Sequence, residues 1–202
     1  FFQVLESNGL KVVEIPTDPV SGIDIDYLAQ AIPKFNIKAC LVVNNFNNPL
    51  GSCMPDERKK YLVEMLAKKE IPLIEDDIYG ELYFGKTRPK TCKTFDKKGL
   101  VLHCASFSKS LAPGYRIGWT IPGKFKEKII RLKRMHTVST NTLTQAAVAE
   151  FLSKGVRIIK IKLGKNAKED VERVRLIREA AGPEILLRID ANQGWSYEDA
   201  LY

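Results

Sequence analysis

The sequence predicts an α/β protein: a mainly parallel sheet with flanking helices, followed by a second, smaller βαβ piece. Short apolar runs alternate with amphipathic stretches along the chain, the pattern a helix-covered parallel sheet imposes. The chain has 202 residues, 45% of them apolar, enough to bury roughly 70% of its unfolded surface in a real core. Its texture also changes near residue 153, which divides it into a region 1–152 and a region 153–202.

Strands are predicted at Lys11 to Ile15, Cys40 to Asn44, Pro72 to Glu75, Val101 to Ala105 and Ile117 to Ile121, each a short apolar run bounded by turn or polar residues. Between the first two, Asp24 or Asp26 caps a helix through Ala31. Pro55 suits the first turn of a second helix, which carries Tyr61, Leu62, Met65 and Leu66 on one face. A third helix runs from about Phe125 to His136, with Ile129, Ile130 and Leu132 set among six cationic residues from Lys124 to Arg134. Such a helix could meet phosphate or DNA, but it reads first as a solvated face. Beyond Ser153, Val156 to Leu163 reads as a strand, Ala167 to Ala181 as a helix with Val171, Val174 and Ile177 inward, and Ile185 to Asp190 as another strand. Ser196 is placed to cap one more helix. A βαβ unit that stops there is expected to leave a sheet edge uncovered.

Charge and cysteines narrow the class. The net charge is +8, of which +6 lies in residues 1–152 and +2 in the remainder. That spread suits solubility and small anions and does not by itself imply nucleic acid. No apolar run approaches the roughly 20 residues of a membrane span, and no signal segment is evident, so a soluble, cytoplasmic protein is expected. Cys40, Cys53, Cys92 and Cys104 show no CxxC spacing, and the only histidines are His103 and His136. Structural zinc is not expected, and reduced thiols are. The start at Phe1-Phe2 without Met reads as that of an excised piece.

Four clusters carry chemistry. Asn47-Asn48-Pro49-Leu50-Gly51 follows a strand as a tight turn that projects an amide. Glu75-Asp76-Asp77-Ile78-Tyr79 puts carboxylates and a phenol at the ligand-binding end of a parallel strand. Ser106-Phe107-Ser108-Lys109 follows the next strand, and Pro113-Gly114-Tyr115-Arg116-Ile117-Gly118-Trp119 completes the set.

In this order and spacing the clusters resemble the large domain of the fold-type-I pyridoxal phosphate enzymes. The nearest wording is that of class I/II aminotransferases of the aminoadipate-aminotransferase-like branch, including the aminotransferase-like domains of MocR-type transcription regulators. The resemblance implies pyridoxal 5'-phosphate as cofactor, held by Lys109 as a Schiff base. It implies Asp76 against the pyridinium nitrogen, Asn48 and Tyr79 on the phenolic oxygen, and Ser106, Ser108 and Arg116 on the phosphate. The residue types suit the task. A lysine depressed in pKa by a cationic neighbour forms imines and shuttles protons, a carboxylate keeps the ring protonated as an electron sink, and a guanidinium with hydroxyls matches a phosphate dianion. Asp77 reads as structural. The implied partners are an amino acid and a 2-oxo acid, and the family forms homodimers. In the family a glycine-containing loop and a stacking aromatic ring precede the equivalent of Phe1, and the substrate-carboxylate arginine lies in a small C-terminal domain. All three are expected to be missing here.

In the C-terminal region, Lys160-Ile161-Lys162 lies on one strand and Asp190-Ala191-Asn192-Gln193-Gly194-Trp195 ends the next. This resembles the second and third strands of the enolase-superfamily (β/α)8 barrel, in the muconate-lactonizing subgroup with the dipeptide epimerases. There Lys162 would be an acid/base supported by Lys160, and Asp190 a magnesium ligand. One carboxylate does not make a magnesium site, so these three read as relics. The sequence as a whole reads as a chimera: a truncated aminotransferase large domain joined near residue 152 to a barrel fragment. An inactive fused scaffold, a pyridoxal-phosphate-sensing domain of a MocR-like regulator and a dipeptide epimerase fragment are the alternatives. DNA binding by this chain is not expected, because it carries no helix-turn-helix segment.

Overall fold

A computed structural model describes residues 2–154, 158–164, 166–191 and 194–201. The chain forms two compact units, Phe1–Ala105 with Gly118–Val138, and Ser106–Ile117 with Ser139–Tyr202.

The first unit opens with a short helix, α1 (Phe2–Ser7), and then departs from expectation. Residues 11–15 form no strand, and Val12 lies exposed. A β-branched run becomes a strand only against a partner, and pairing here begins beyond Pro16, where β1 (Thr17–Asp18) meets β2 (Gly22–Ile23) in a two-residue antiparallel ladder. Helix α2 (Ile25–Phe35) is capped by Asp24, not Asp26: the Asp24 carboxylate accepts the Tyr27 N–H at 2.9 Å. Its buried residues, Ile25, Leu28, Ala31 and Ile32, share one face, and Asn36 ends it in the left-handed conformation.

The central sheet runs β3 (Cys40–Val42), β4 (Leu73–Asp76), β5 (Val101–Ser106) and β6 (Gly118–Ile121), in that spatial order. Strands β3, β4 and β5 are parallel, with Cys40 opposite Leu73 and Asp76 opposite Cys104. Helix α3 (Asp56–Lys68) crosses between β3 and β4, and Pro55 stands at its cap rather than in its first turn. Its buried face is Lys59, Leu62, Val63 and Leu66. Tyr61, expected inward, is largely exposed, because the face is centred one residue later than the sequence suggested. Leu62 and Leu66 join Leu28, Met54, Leu73 and Val101 in one apolar core. The Asp96 carboxylate prepares the start of β5 by accepting the Leu100 and Val101 N–H groups, both at 3.0 Å, and the Lys93 ammonium at 2.8 Å. Helix α4 (Lys126–Thr137) carries the predicted basic run. None of its residues is fully buried, and Leu132 and Met135 are exposed.

The second unit contains a helix that the sequence reading missed, α5 (Thr142–Ser153), capped by Asn141 through the Thr144 N–H. Strand β7 (Ile158–Lys162), helix α6 (Ala167–Ala181) and strand β8 (Leu186–Asp190) form the expected parallel βαβ unit, and α7 (Tyr197–Leu201) begins directly after Ser196. The first residues of the predicted strand, 156 and 157, lie outside the described set. Asn166 caps α6 twice, through the Lys168 and Glu169 N–H groups. Val171, expected inward, is 45% exposed, while Val174 and Ile177 are half-buried. The buried acid of this helix is Asp170, which accepts the Gly164 N–H at 2.8 Å and the Trp195 indole N–H at 3.1 Å. A Cβ on Gly194 would lie 2.1 Å from the Gly164 carbonyl oxygen, so these two loops meet only as glycines.

Candidate active site

Three parallel strands deliver their chains to one sheet edge, the carboxyl end, where α/β proteins bind ligands. The loop leaving β3 folds back on itself through the Asn47 N–H to the Ser52 carbonyl at 3.0 Å and the Gly51 N–H to the Asn47 carbonyl, with Gly51 at a positive φ of 70°. This turn carries Asn48 outward, as its Asn-Pro and Gly predicted. Strand β4 ends at Asp76, and a turn closed by the Gly80 N–H to the Asp77 carbonyl at 3.1 Å presents Tyr79. The two loops meet: the Asn48 side-chain amide donates to the Tyr79 phenolic oxygen at 3.3 Å. Two residues 31 positions apart, assigned to one cofactor atom by resemblance alone, are thus adjacent in space.

Asp76 is half-buried and accepts the Ile78 N–H at 3.3 Å, a long bond that leaves acceptor capacity on both oxygens. Burial pushes its carboxyl above the ordinary range, and the neighbouring Asp77 charge adds to this, against the opposing pull of the Ile78 N–H and His103. Asp76 is therefore suited to face a cationic or proton-bearing ligand atom, which would restore its charge. On the alternate, buried positions of the two strands, Glu75 accepts the Cys92 and Lys93 N–H groups at 2.6 and 3.1 Å and lies 3.4 Å from His103. Asp77 is buried and ion-paired with Arg88.

The lysine loop belongs to the second unit. After Ser106, the Phe107 N–H donates to the Ile117 carbonyl at 3.0 Å, closing residues 107–117 into a loop with a narrow neck. Within it the Leu111 and Ala112 N–H groups both reach the Phe107 carbonyl at 2.9 Å, and the Ser108 N–H reaches the Ser106 hydroxyl at 3.3 Å. Leu111 and Ile117 are buried with Val148 of α5, and Phe107, Ala112 and Phe151 pack around them. The half-buried Lys109 therefore rides on a loop with its own small apolar support. Arg116 sits at φ 54°, and this left-handed turn folds its guanidinium back to the Pro113 carbonyl at 3.3 Å. That bond uses one of five guanidinium donors.

In the second βαβ unit, Lys162 pairs in register with Asp190 and Lys160 with Arg188. Among the described residues no group of three or more His, Cys, Asp or Glu side chains is arranged to hold a metal ion. No helix among the described residues is long and apolar enough to cross a membrane.

An amide and a phenol in contact at the carboxyl ends of parallel strands, in a mixed α/β fold with a mainly parallel sheet, resemble the large domain of an aminotransferase. The family is specific. The model for aminotransferase class I and II matches residues 1–181, and the chain belongs to that family. Among curated proteins it is 44% identical over 151 residues to the uncharacterized HTH-type transcriptional regulator YdcR of Escherichia coli K12, covering 75% of this chain and 32% of that protein. It is 31% identical over 153 residues to the HTH-type transcriptional regulator YisV of Bacillus subtilis 168, covering 75% and 31%. The chain thus spans about a third of the length of the curated relatives it matches. Among solved structures it is similar to LysN, the α-aminoadipate aminotransferase of Thermus thermophilus complexed with N-(5'-phosphopyridoxyl)-L-leucine. There the TM-score is 0.72 at 26% identity, over 88% of this chain and 44% of that one. The kynurenine aminotransferase of Pyrococcus horikoshii, in complex with PMP, gives a TM-score of 0.69 at 29% identity, over 77% and 40%. The family match continues across residue 152, where the sequence alone suggested a join.

Proposed function

We propose that this chain is a pyridoxal 5'-phosphate-binding domain of the aminotransferase type, serving amino-group transfer between an amino acid and a 2-oxo acid. The observation that carries this reading is the Asn48–Tyr79 hydrogen bond at the sheet edge that also ends in Asp76. The donor set fits the cofactor: two neutral donors for its phenolic oxygen, a carboxylate in need of a cation for its ring nitrogen, and hydroxyls with a guanidinium for its phosphate. Bound pyridoxal 5'-phosphate would supply an electron sink for the carbanion at the substrate Cα. Lys109 would hold the cofactor through its amine, and the same amine would take the Cα proton and return it. Asp76 would keep a proton on the ring nitrogen. Asn48 and Tyr79 would donate to the phenolic oxygen, and Ser106, Ser108 and Arg116 would bind the phosphate. Adding pyridoxal 5'-phosphate should give a visible absorbance band that Lys109→Ala abolishes, and amino acids should then yield 2-oxo acids. A chain that gives no band overturns the reading.

A second reading is favoured by the 44% identity to a transcriptional regulator. The domain would then sense the cofactor for a longer protein and serve DNA recognition indirectly. Cofactor binding without 2-oxo acid formation from any amino acid would support it.

For residues 153–202 the barrel-fragment origin rests on motif resemblance alone, since the parallel register of β7 and β8 is common to α/β folds. The aminotransferase family match through residue 181 favours a continuous origin instead.

A further inference from the structure

Beneath the Asn48–Tyr79 contact lies a chain of polar groups that the proposed chemistry does not use. Asn45 and Lys59 are fully buried and Asp77 is 3% exposed. The Lys59 ammonium donates to the Asn45 side-chain oxygen and to the Lys90 carbonyl, both at 2.7 Å. The Asn45 amide nitrogen donates to Asp77 Oδ1 at 2.8 Å, and Asp77 Oδ2 receives the Arg88 guanidinium, whose Nε reaches Glu81 at 2.7 Å. Every polar atom of the Asn45 side chain is therefore committed in one orientation, with a cation on its oxygen and an anion on its nitrogen.

The positions of these residues along the chain give the network its meaning. Asn45 stands three residues before Asn48 on the loop leaving β3, and Asp77 stands between Asp76 and Tyr79 on the turn leaving β4. The same two loops are thus joined twice, once at the rim by the exposed Asn48–Tyr79 bond and once at the base by the buried Asn45–Asp77 bond. The rim bond is long and open to competition from water, whereas the base bond has a charged acceptor and no solvent. Gly80, next to Tyr79, makes the base possible. A Cβ there would lie 2.4 Å from Asp77 Oδ2 and 2.6 Å from Arg88 Nη2, so the ion pair closes only over a glycine.

We propose that the buried Asn45–Asp77 pair, braced by Lys59 and Arg88, is the positioning element of the cofactor site, holding Asn48, Tyr79 and Asp76 in place before any ligand arrives. Asn45 and Asp77 are positioning residues that act through the loops carrying Asn48 and Tyr79. The proposal rests on the reading of Asn48, Tyr79 and Asp76 as cofactor ligands, and its test separates the two.

The test uses the full 202-residue chain and two readouts: the NMR resonance of the Asn48 side-chain amide without cofactor, and the dissociation constant for pyridoxal 5'-phosphate by absorbance titration. Asn45→Ala and Asp77→Ala should each shift the Asn48 amide although neither residue touches it. Each should weaken cofactor binding about tenfold, the worth of roughly one charge-assisted hydrogen bond. The double variant should lose no more than the worse single one. Asp77→Asn, which keeps an oxygen facing Asn45, should restore the Asn48 resonance. An unmoved Asn48 amide in a folded alanine variant overturns the proposal, because a purely structural role would lower the melting temperature and leave that amide alone. If the amide moves but the parent chain binds no pyridoxal 5'-phosphate, the functional reading fails and the positioning pair stands. Should neither alanine variant fold, Arg88→Gln at its partly exposed site must move the Asn48 amide in the same direction by a smaller amount, and an unmoved amide again overturns the proposal.

Discussion

The sheet-edge loops and the lysine loop, which carry the two groups of candidate residues, are built by different means. The sheet-edge group, with Asn48, Asp76 and Tyr79, stands on strands whose inner residues are almost wholly buried, and a buried polar network ties its loops together. The lysine loop is closed by backbone hydrogen bonds and rests on a cluster of three buried residues, Leu111, Ile117 and Val148. On the proposed function the first group would recognise parts of a ligand that keep their place, and rigidity would serve it. The second group would carry the amine that attaches, detaches and moves a proton, and a lightly supported loop would leave it that freedom. The segment that follows is looser again: Leu186 is 55% and Ile189 51% exposed on β8, and α6 relies on exposed pairs of Arg175 with Glu172 and Glu179.

One substitution type, made in each region, measures this gradient. Leu62→Ala, in the sheet core, should cost about 4 kcal/mol of unfolding free energy, because transfer and cavity terms add where the core does not collapse. Leu111→Ala should cost about 2 kcal/mol, and it should raise hydrogen exchange at the Leu111 and Ala112 amides before that of β4. Leu186→Ala should cost less than about 0.5 kcal/mol. Equal losses in chemical denaturation would break the comparison.

The acids of the sheet region sharpen it. Burial alone would raise Asp96, but the Lys93 ammonium and the Val101 and Leu100 N–H groups outweigh it and hold the carboxyl below its usual range. Its native pKa is thus lower than its unfolded one. Asp96 therefore contributes stability that is fully present above the ordinary aspartate pKa of about 3.9 and is lost below it, as pH falls through the lower native value. Asp96→Asn should cost about 1–2 kcal/mol at pH 7 and flatten the acid limb of the stability profile. Asp76 has the opposite sign. Its raised native pKa makes the ionised group a liability above the ordinary aspartate range, and this liability vanishes below it. Asp76→Asn should slightly raise the melting temperature of the cofactor-free chain at pH 7 while weakening pyridoxal 5'-phosphate binding about tenfold or more. Loss of both stability and binding would mean that Asp76 is a structural acid.

The sequence showed strands near 40–44, 72–75 and 101–105, observed at Cys40–Val42, Leu73–Asp76 and Val101–Ser106, because each is a compact apolar run between turn residues, and it showed the bounds of α6, which the structure finds capped by Asn166 and followed by Gly182. It misjudged residues 11–15, since a β-branched run does not announce whether a partner strand will come. Helix α5 escaped notice because its Thr- and Ala-rich face packs on little more than Leu111 and Ile117, although Asn141 three residues before Thr144 was a legible cap. The candidate site residues were legible as motifs, not as physics: nothing in the spacing of Asn48 and Tyr79 says that they touch. Asn45 and Lys59 were invisible, because an asparagine beside a turn and a lysine on a helix ordinarily face water, and only the fold brings them to Asp77.

The central claim, that Lys109 is the cofactor lysine, is tested most directly by trapping. The chain is mixed with pyridoxal 5'-phosphate, reduced with borohydride and mapped by peptide mass spectrometry. The account predicts one dominant adduct, on the half-buried Lys109, that disappears in Lys109→Ala. Adducts spread over the exposed lysines in proportion to their accessibility, and unchanged by that substitution, would contradict it.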